Sequence, residues 1–231
     1  MNEYNRRKSS LLQRFANLSM VWIFIVITSI SSIISLFLFA FFPESVDYLA
    51  LKPNNILAGK YLWTLLLHVF VHGSFLHLFV NMFVLFSLGS LTEKIIGRKR
   101  FLWMYLVAGI FAGVLSVFVT YYFGSGFFVK LFGSADDFMV GASGAIFAIA
   151  GLLMILLPRL KFSIIFLPFF AFPAYIMVPL ILLLTWLISI IAGLNIGNVA
   201  HTGGFLIGAI YGYYLRRKYK RKLAVLERYF R

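Results

Sequence analysis

The segment "AHTGGFLIGAIYGY" (residues 200–213) decides how this chain folds, because it combines an apolar run with a regular stripe of glycines. A glycine recurs at every fourth position, and the segment 143–157 carries small residues at a similar spacing. The positions are Gly204, Gly208, Gly212, Gly144, Ala148 and Gly151. Such stripes lie on one helix face and let two membrane helices approach closely. We therefore expect these two segments to form neighbouring helices.

The composition of the whole chain is that of an integral membrane protein. Of 231 residues, 62% are apolar and 19% are aromatic, and the mean hydropathy is +0.95. A soluble domain has too few polar side chains at this composition to cover its surface. The chain has no cysteine, which excludes disulfides, thiolate catalysis, iron–sulfur clusters and zinc–thiolate sites.

Apolar segments separated by Pro, Gly or charge clusters predict an all-α, polytopic bundle of six transmembrane helices. The predicted spans are 20–42, 74–92, 101–123, 143–157, 174–193 and 201–215. The apolar segment 162–173 contains Pro168 and Pro173, so we interpret it as a buried connector to the fifth span. The loop 193–200, rich in Gly and Asn, is interpreted as a mobile lid.

The charges predict the orientation of the bundle. With the N-terminus in the cytoplasm, 18 of the 21 Lys and Arg residues lie on the cytoplasmic side, as the positive-inside rule requires. The net charge of +14 is then a topology signal and does not indicate nucleic acid as a partner. We predict a basic cytoplasmic N-terminal segment (1–19), a membrane domain (20–215) and a basic cytoplasmic tail (216–231). The tail is interpreted as a positive-inside anchor, with contact to anionic membrane lipid as the alternative. The plasma membrane is the expected location.

Polar residues in three spans share one depth. Ser143 is 16 residues above Arg159, and His201 is 15 residues above Arg216, which places them about 24 and 22 Å from the cytoplasmic charges. Polar groups inside the hydrocarbon layer are costly and mark functional sites. In the second span, His77 and Asn81 lie four residues apart, on one helix face and at a similar level.

A serine hydroxyl beside a neutral imidazole is the minimal unit for nucleophilic acyl transfer. No Asp or Glu lies at this depth, so the sequence predicts a dyad of Ser143 and His201. Gly141 and Gly144 allow a sharp backbone entry into the helix that Ser143 begins. Its N-terminal amides point at a developing oxyanion, to which His77 and Asn81 are side-chain donors.

The motifs "HGSFLHLFVN" (72–81), "GASG" (141–144) and "AHTGGFLIG" (200–208), in this order, resemble those of the rhomboid intramembrane serine proteases. The resemblance covers the predicted six-span core. It implies a Ser143 nucleophile, a His201 general base, and an oxyanion hole from the Ser143 N–H, His77 and Asn81. It also implies that the protein cleaves other single-span membrane proteins in or near their transmembrane segments.

Two positions depart from the family pattern. Thr64 follows Trp63 where many members have arginine, which puts the bracing of the first external loop in question. Phe147 stands where a tyrosine commonly packs on the catalytic histidine, so a ring stack is retained and a hydroxyl contact is lost.

Other interpretations remain open. A lone membrane serine usually packs or bonds to its own helix. His68 and His72 are expected to be interfacial or structural. A zinc site built from the four histidines has no HExxH motif or acidic ligand to support it, so no metal or cofactor is expected.

A catalytically silent rhomboid relative that binds membrane proteins is the alternative function. A channel or transporter needs ionisable residues across the membrane, and the acids here lie near the ends of the spans.

Overall fold

The computed structural model describes residues 18–164, 167–193 and 196–228. The predicted basic segment 1–19 therefore lies outside the described residues except for its last two positions. Residues 194 and 195 of the predicted lid and the last three residues of the predicted tail also lie outside them. The described part is mostly helical, as predicted.

The main helices lie where the apolar segments predict them, with bounds that agree to within four residues. They are α1 (Met20–Phe41), α2 (Phe75–Ile96), α3 (Arg98–Phe123), α4 (Ser143–Leu156), α5 (Ala174–Ala192), α6 (Asn198–Lys218) and the tail helix α7 (Lys220–Glu227). Among the described residues, α1, α2, α3 and α5 are long and apolar enough to cross a membrane. The helix α6 begins three residues earlier than predicted, so residues 198–200 belong to a helix and not to a lid loop.

Glycine and proline set several helix ends. Gly97 has φ +85° and separates α2 from α3, whereas Gly193 has φ +65° and ends α5. Glycine adopts this left-handed region without the cost that a Cβ imposes, which makes it a common helix terminator. Pro173 precedes the first residue of α5, where its missing N–H leaves no helix bond unmade.

The helix α4 lies at the centre of the bundle. Ten of its 14 residues are buried, as expected of a helix that is apolar all round and is enclosed by others. It packs on α6 along the predicted glycine stripe: a Cβ on Gly204 would overlap the carbonyl of Gly144, and one on Gly208 would overlap the carbonyl of Ala148. The predicted close approach of the two helices is confirmed.

The prediction of an all-α fold with a buried connector is wrong at residues 161–173, which contain two strands. They form an antiparallel hairpin of β1 (Lys161–Ile164) and β2 (Leu167–Pro173), in which Phe162 pairs with Phe172. The proline positions exclude a continuous helix, and the aromatic and β-branched residues around them favour extended backbone. Ser163 and Ala171, which pair with each other, are exposed, so this part of the hairpin is not buried.

The helix α2 contains a π-helical turn at Leu85–Gly89, between α-helical segments Phe75–Val84 and Ser90–Ile96. A π turn inserts one extra residue into the helix and changes the direction in which the following side chains point. Below it, the carboxylate of Glu93 accepts hydrogen bonds from Ser19 Oγ at 2.6 Å and from the N–H groups of Met20 and Val21 at 2.9 and 3.1 Å. Glu93 thus caps the N-terminus of α1, which favours negative charge.

The connection from α1 to α2 consists of short helical turns. They are Pro43–Ser45, Val46–Leu49, Pro53–Leu57, Thr64–Leu67 and His68–Phe70, and the connection from α3 to α4 contains Gly126–Phe128 and Val129–Phe132. The two connections join at a loop clamp, formed by Lys52, Asn54 and Asp136. The Asp136 carboxylate lies 2.9 Å from Asn54 Nδ2 and 3.3 Å from Lys52 Nζ. A backbone bridge between Leu51 and Met139 lies beside this clamp.

Candidate active site

The structure brings Ser143 and His201 into direct contact. Ser143 begins α4, His201 lies in the first turn of α6, and His201 Nε2 is 2.8 Å from Ser143 Oγ. This distance is that of a hydrogen bond between a nucleophile and its base. The proximity predicted from the equal depth of the two residues is confirmed.

The imidazole of His201 is oriented by packing. Its ring stacks on Phe147 with centroids 4.5 Å apart and planes at 26°. Within the described residues, Nδ1 has no hydrogen-bond partner, and no carboxylate supports the ring. When Nε2 accepts the Ser143 proton, Nδ1 carries the other ring hydrogen. The site is thus a dyad in geometry.

The backbone before Ser143 needs glycine. Gly141 has φ +126°, and its N–H donates to the carbonyl of His68 at 2.9 Å. A side chain at this φ is strained, and its Cβ would also meet His77 Cε1 at 2.8 Å. On the other side of Ser143, a Cβ on Gly144 would meet Ala112 Cβ at 2.7 Å. Both glycines therefore allow the close packing that places the hydroxyl.

His77 lies close to Ser143, as predicted. A Cβ built on Gly141 would lie 3.0 Å from His77 Nε2 and 3.8 Å from Ser143 Oγ. The His77 ring and the Ser143 hydroxyl are therefore close to the same point in space. Asn81 lines the same cavity, and its amide donates to the His77 carbonyl at 2.8 Å. An asparagine amide has two N–H groups, so this bond uses one of its two hydrogens.

His72 has a supporting position that the sequence analysis did not assign. Its ring is fully buried, with Nδ1 2.9 Å from Ser32 Oγ and Nε2 3.4 Å from the N–H of Ala142. The Ser32 hydroxyl donates its single hydrogen to the Phe70 carbonyl, so Nδ1–H must donate to Ser32 and Nε2 must accept from Ala142. His72 therefore connects α1 to Ala142, the residue that precedes Ser143.

A pattern in the first span would have indicated this link. Thr28, Ser32 and Ser35 are all buried and recur at helical spacing in an otherwise apolar span.

His68 is likewise structural: it is buried, its Nδ1 lies 2.9 Å from the Thr64 carbonyl, and burial lowers its pKa to about 4. In the described residues, no three potential ligands converge on a metal position.

Two cavities meet near the dyad. The larger has a volume of about 710 Å³ and extends from Ser143 and His201 between α2 and α5, where Val84 and Ile181 line it. The smaller, of about 280 Å³, shares Ser116 with the first. The Ser116 hydroxyl and the Asn198 side-chain carbonyl are buried there without a hydrogen-bond partner among the described residues. Buried polar groups of this kind normally bind water.

Trp63 and Trp186 also have defined contacts. Trp63 Nε1 donates to the Tyr48 carbonyl at 2.9 Å, so the first connection is held by this bond and by the loop clamp despite the threonine at position 64. Trp186 Nε1 donates to Thr202 Oγ1 at 3.2 Å and joins α5 to α6.

These features define an integral, multi-pass membrane protein with a serine–histidine pair below one end of the bundle. A family model described as the rhomboid domain matches residues 59–218. The chain belongs to the rhomboid family.

Curated relatives agree with this family. The chain is 33% identical over 147 residues to the mitochondrial presenilin-associated rhomboid-like protein of Bos taurus, covering 64% of this chain and 36% of that protein. It is 27% identical over 172 residues to rhomboid protease GlpG of Haemophilus influenzae, covering 74% of this chain and 79% of that protein. Rhomboid protease GluP of Bacillus subtilis is 33% identical over 111 residues, covering 48% of this chain and 19% of that protein.

The chain thus spans about a third of the length of the mitochondrial relatives, at 36%. Because those relatives are named as mitochondrial, the comparisons do not support the expected plasma-membrane location. What they support is an intramembrane protease at the level of the family.

Proposed function

We propose that this chain is an intramembrane serine endopeptidase that cleaves other membrane proteins with Ser143 and His201. The observation that carries the proposal is the 2.8 Å contact between His201 Nε2 and Ser143 Oγ at the end of a large cavity. Membership of a family that includes named rhomboid proteases supports it.

In the acylation step, His201 Nε2 takes the Ser143 hydroxyl proton while Oγ bonds to the carbonyl carbon of the scissile peptide. The tetrahedral intermediate collapses, the C–N bond breaks, and Nε2 returns the proton to the leaving amine. Water then attacks the acyl-enzyme, Nε2 accepts its proton, and the new carboxyl group leaves as Oγ is protonated again. The ring stack with Phe147 keeps Nε2 aimed at Oγ through these transfers.

The oxyanion is held by three groups in this proposal. The Ser143 N–H lies at the N-terminus of α4, where the helix dipole favours negative charge. His77 and Asn81 provide side-chain donors from α2, a different helix. Donors that are fixed before the reaction avoid reorganisation in the transition state, and losing one typically costs about 100- to 1,000-fold in kcat.

The substrate class follows from the cavity. Its lining between α2 and α5 is mostly apolar, which suits a segment of a transmembrane helix that leaves lipid sideways. The smaller cavity shares Ser116 with the larger one, and its unpartnered polar atoms are suited to bind the water that hydrolysis consumes. We infer that single-span membrane proteins are the substrates.

The proposed topology has six spans and both termini in the cytoplasm, supported by the distribution of basic residues. Because the chain has no cysteine, single cysteines test it directly. A cysteine at Lys60 should react with an impermeant maleimide added on the side of the membrane away from the cytoplasm, and one at Lys222 should react only after the membrane is opened. The reverse pattern would contradict the proposed orientation.

The function is tested in liposomes with a panel of single-span substrates, and cut sites are mapped by mass spectrometry. We expect Ser143→Ala and His201→Ala to abolish cleavage and labelling by a fluorophosphonate. Ser87→Ala is the matched control, since Ser87 is an exposed serine on a different helix, α2. This variant should retain both cleavage and labelling. Cleavage by Ser143→Ala would exclude this nucleophile, whereas substrate capture without cleavage by wild type would favour the silent binding protein.

A further inference from the structure

The end of the bundle opposite the dyad carries a cluster of cations and phenols that the proposed protease chemistry does not use. It is formed by the first turn of α3 and by the end of α6 with the residue that follows it. We call it the basic–aromatic cluster, and its members are Arg100, Tyr214, Lys218 and Tyr219.

The cluster is held by hydrogen bonds from cations to phenols. Arg100 Nη2 donates to Tyr219 Oη at 2.7 Å, and the guanidinium lies 5.2 Å from the centroid of that ring. Lys218 Nζ donates to Tyr214 Oη at 3.0 Å and lies 5.9 Å from the Tyr219 centroid. Two positive charges therefore share the Tyr219 ring. Because both phenol oxygens act as acceptors here, both phenol hydrogens are free to point to an anion.

The nearby carboxylates have other partners. Glu93 caps the N-terminus of α1, and Glu227 forms an ion pair with Arg216 at 2.8 Å. In the described part of the chain, neither Arg100 nor Lys218 has a carboxylate within ion-pair distance. Both cations contact the Tyr219 ring, so they repel each other, and an anion that binds them relieves the repulsion and gains charge-assisted hydrogen bonds.

The surroundings of the cluster indicate an anion with an apolar tail. Trp103, one turn along α3 from Arg100, is 58% exposed, and Tyr213 on α6 is 54% exposed. Exposed aromatic rings at the ends of apolar helices mark the level of the lipid headgroups. Beyond this belt, Val107 and Ile210 are exposed on α3 and α6, so apolar surface runs from the cluster into the hydrocarbon region.

We propose that the basic–aromatic cluster binds the phosphate group of an anionic phospholipid. Arg100 and Lys218 contact the phosphate oxygens, the Tyr214 and Tyr219 hydroxyls donate to them, and the acyl chains lie along α3 and α6. Basic pockets between membrane helices are suited to such headgroups. The site is independent of the dyad and of the proposed proteolytic function.

Native mass spectrometry of the full chain in detergent tests this, with phosphatidylglycerol and phosphatidylcholine as probes. The variant Arg100→Gln/Lys218→Gln removes two charges of the cluster. Its matched control, Arg221→Gln/Lys222→Gln, removes two exposed charges from α7 at the same end. We expect wild type to prefer phosphatidylglycerol and the cluster variant to lose about fivefold in affinity per cation. The control should lose less than about twofold, because exposed charges outside the site do not contact the bound phosphate.

Lys218→Gln alone should lose about fivefold and removes only an exposed side chain, so the test does not depend on the folding of the double variant. Equal losses in the two double variants would overturn the site, because they would indicate attraction to general basic charge. Equal affinity of wild type for the two lipids would also overturn it. Displacement of the lipid by millimolar inorganic phosphate would assign the site to free phosphate and contradict a lipid partner.

Discussion

Replacement of Gly204 by alanine tests the contact that brings the dyad together. The new Cβ would overlap the backbone carbonyl of Gly144, the residue next to the nucleophile. Backbone cannot move aside as a side-chain tip can, so α4 and α6 must separate by about 1.5 Å to restore an ordinary contact. Overpacking of this kind costs about 1–3 kcal/mol, and the better helix propensity of alanine returns up to about 1 kcal/mol.

The effect on catalysis is expected to exceed the effect on stability. His201 lies one turn before Gly204, so separation of the helices lengthens the 2.8 Å contact with Ser143. A misplacement of about 1 Å costs on the order of 100-fold in rate. We therefore expect Gly204→Ala to lower kcat about 100-fold on a single-span substrate in liposomes, with a loss of about 1–2 kcal/mol in the free energy of unfolding.

The adjacent glycine is the matched control. A Cβ on Gly203 would meet the tip of the Leu115 side chain at 2.8 Å, and that tip can rotate away. Gly203→Ala should therefore change stability by less than about 0.5 kcal/mol and leave kcat within about threefold of wild type. Equal losses of activity in the two variants, or full activity of Gly204→Ala, would refute the argument that backbone contact sets the dyad distance.

Three further outcomes are expected. Phe147→Tyr should keep most activity, because the ring that orients His201 is retained. Phe147→Ala removes the ring and should lower kcat about tenfold or more with little change in KM. Steady-state kinetics on one substrate measure both effects. His72→Phe removes the acceptor for a buried N–H and should lower the free energy of unfolding by about 1–3 kcal/mol, measured by thermal melting. The hydrogen bond from Asn54, with the lysine of the loop clamp, lowers the pKa of Asp136. Its contribution is present above the ordinary pKa of an aspartate and lost as pH falls through the lowered value. Wild type and Asp136→Asn should therefore differ in melting temperature at pH 6, and the difference should shrink as pH falls through the lowered pKa.

The main helices and the dyad could be predicted from sequence because they depend on one-dimensional quantities. A run of apolar residues has a length, and a polar residue has a distance along the helix from the charge that anchors it. Ser143 and His201 were placed at one level by this argument, and the small residues of α4 and α6 indicated that their helices touch. Their contact at 2.8 Å follows from both.

Features that depend on contacts across the fold could not be predicted in this way. The hairpin at 161–173 was missed because its apolar residues suit a strand and a buried connector equally. The Glu93 cap joins residues more than 70 positions apart, and nothing local distinguishes it from a surface carboxylate. The role of His72 depends on Ser32, which lies 40 residues away in the first span.

The π turn at Leu85–Gly89 divides α2 into two halves whose side chains point in independently set directions. The half above it carries His77 and Asn81, which line the cavity with Ser143, and the half below it presents Glu93 to the start of the first helix. With strict α-helical geometry, one rotation would have to serve both tasks, and improving one would misalign the other. The extra residue releases this constraint, so a change of tilt in the lower half need not alter the direction in which His77 and Asn81 point.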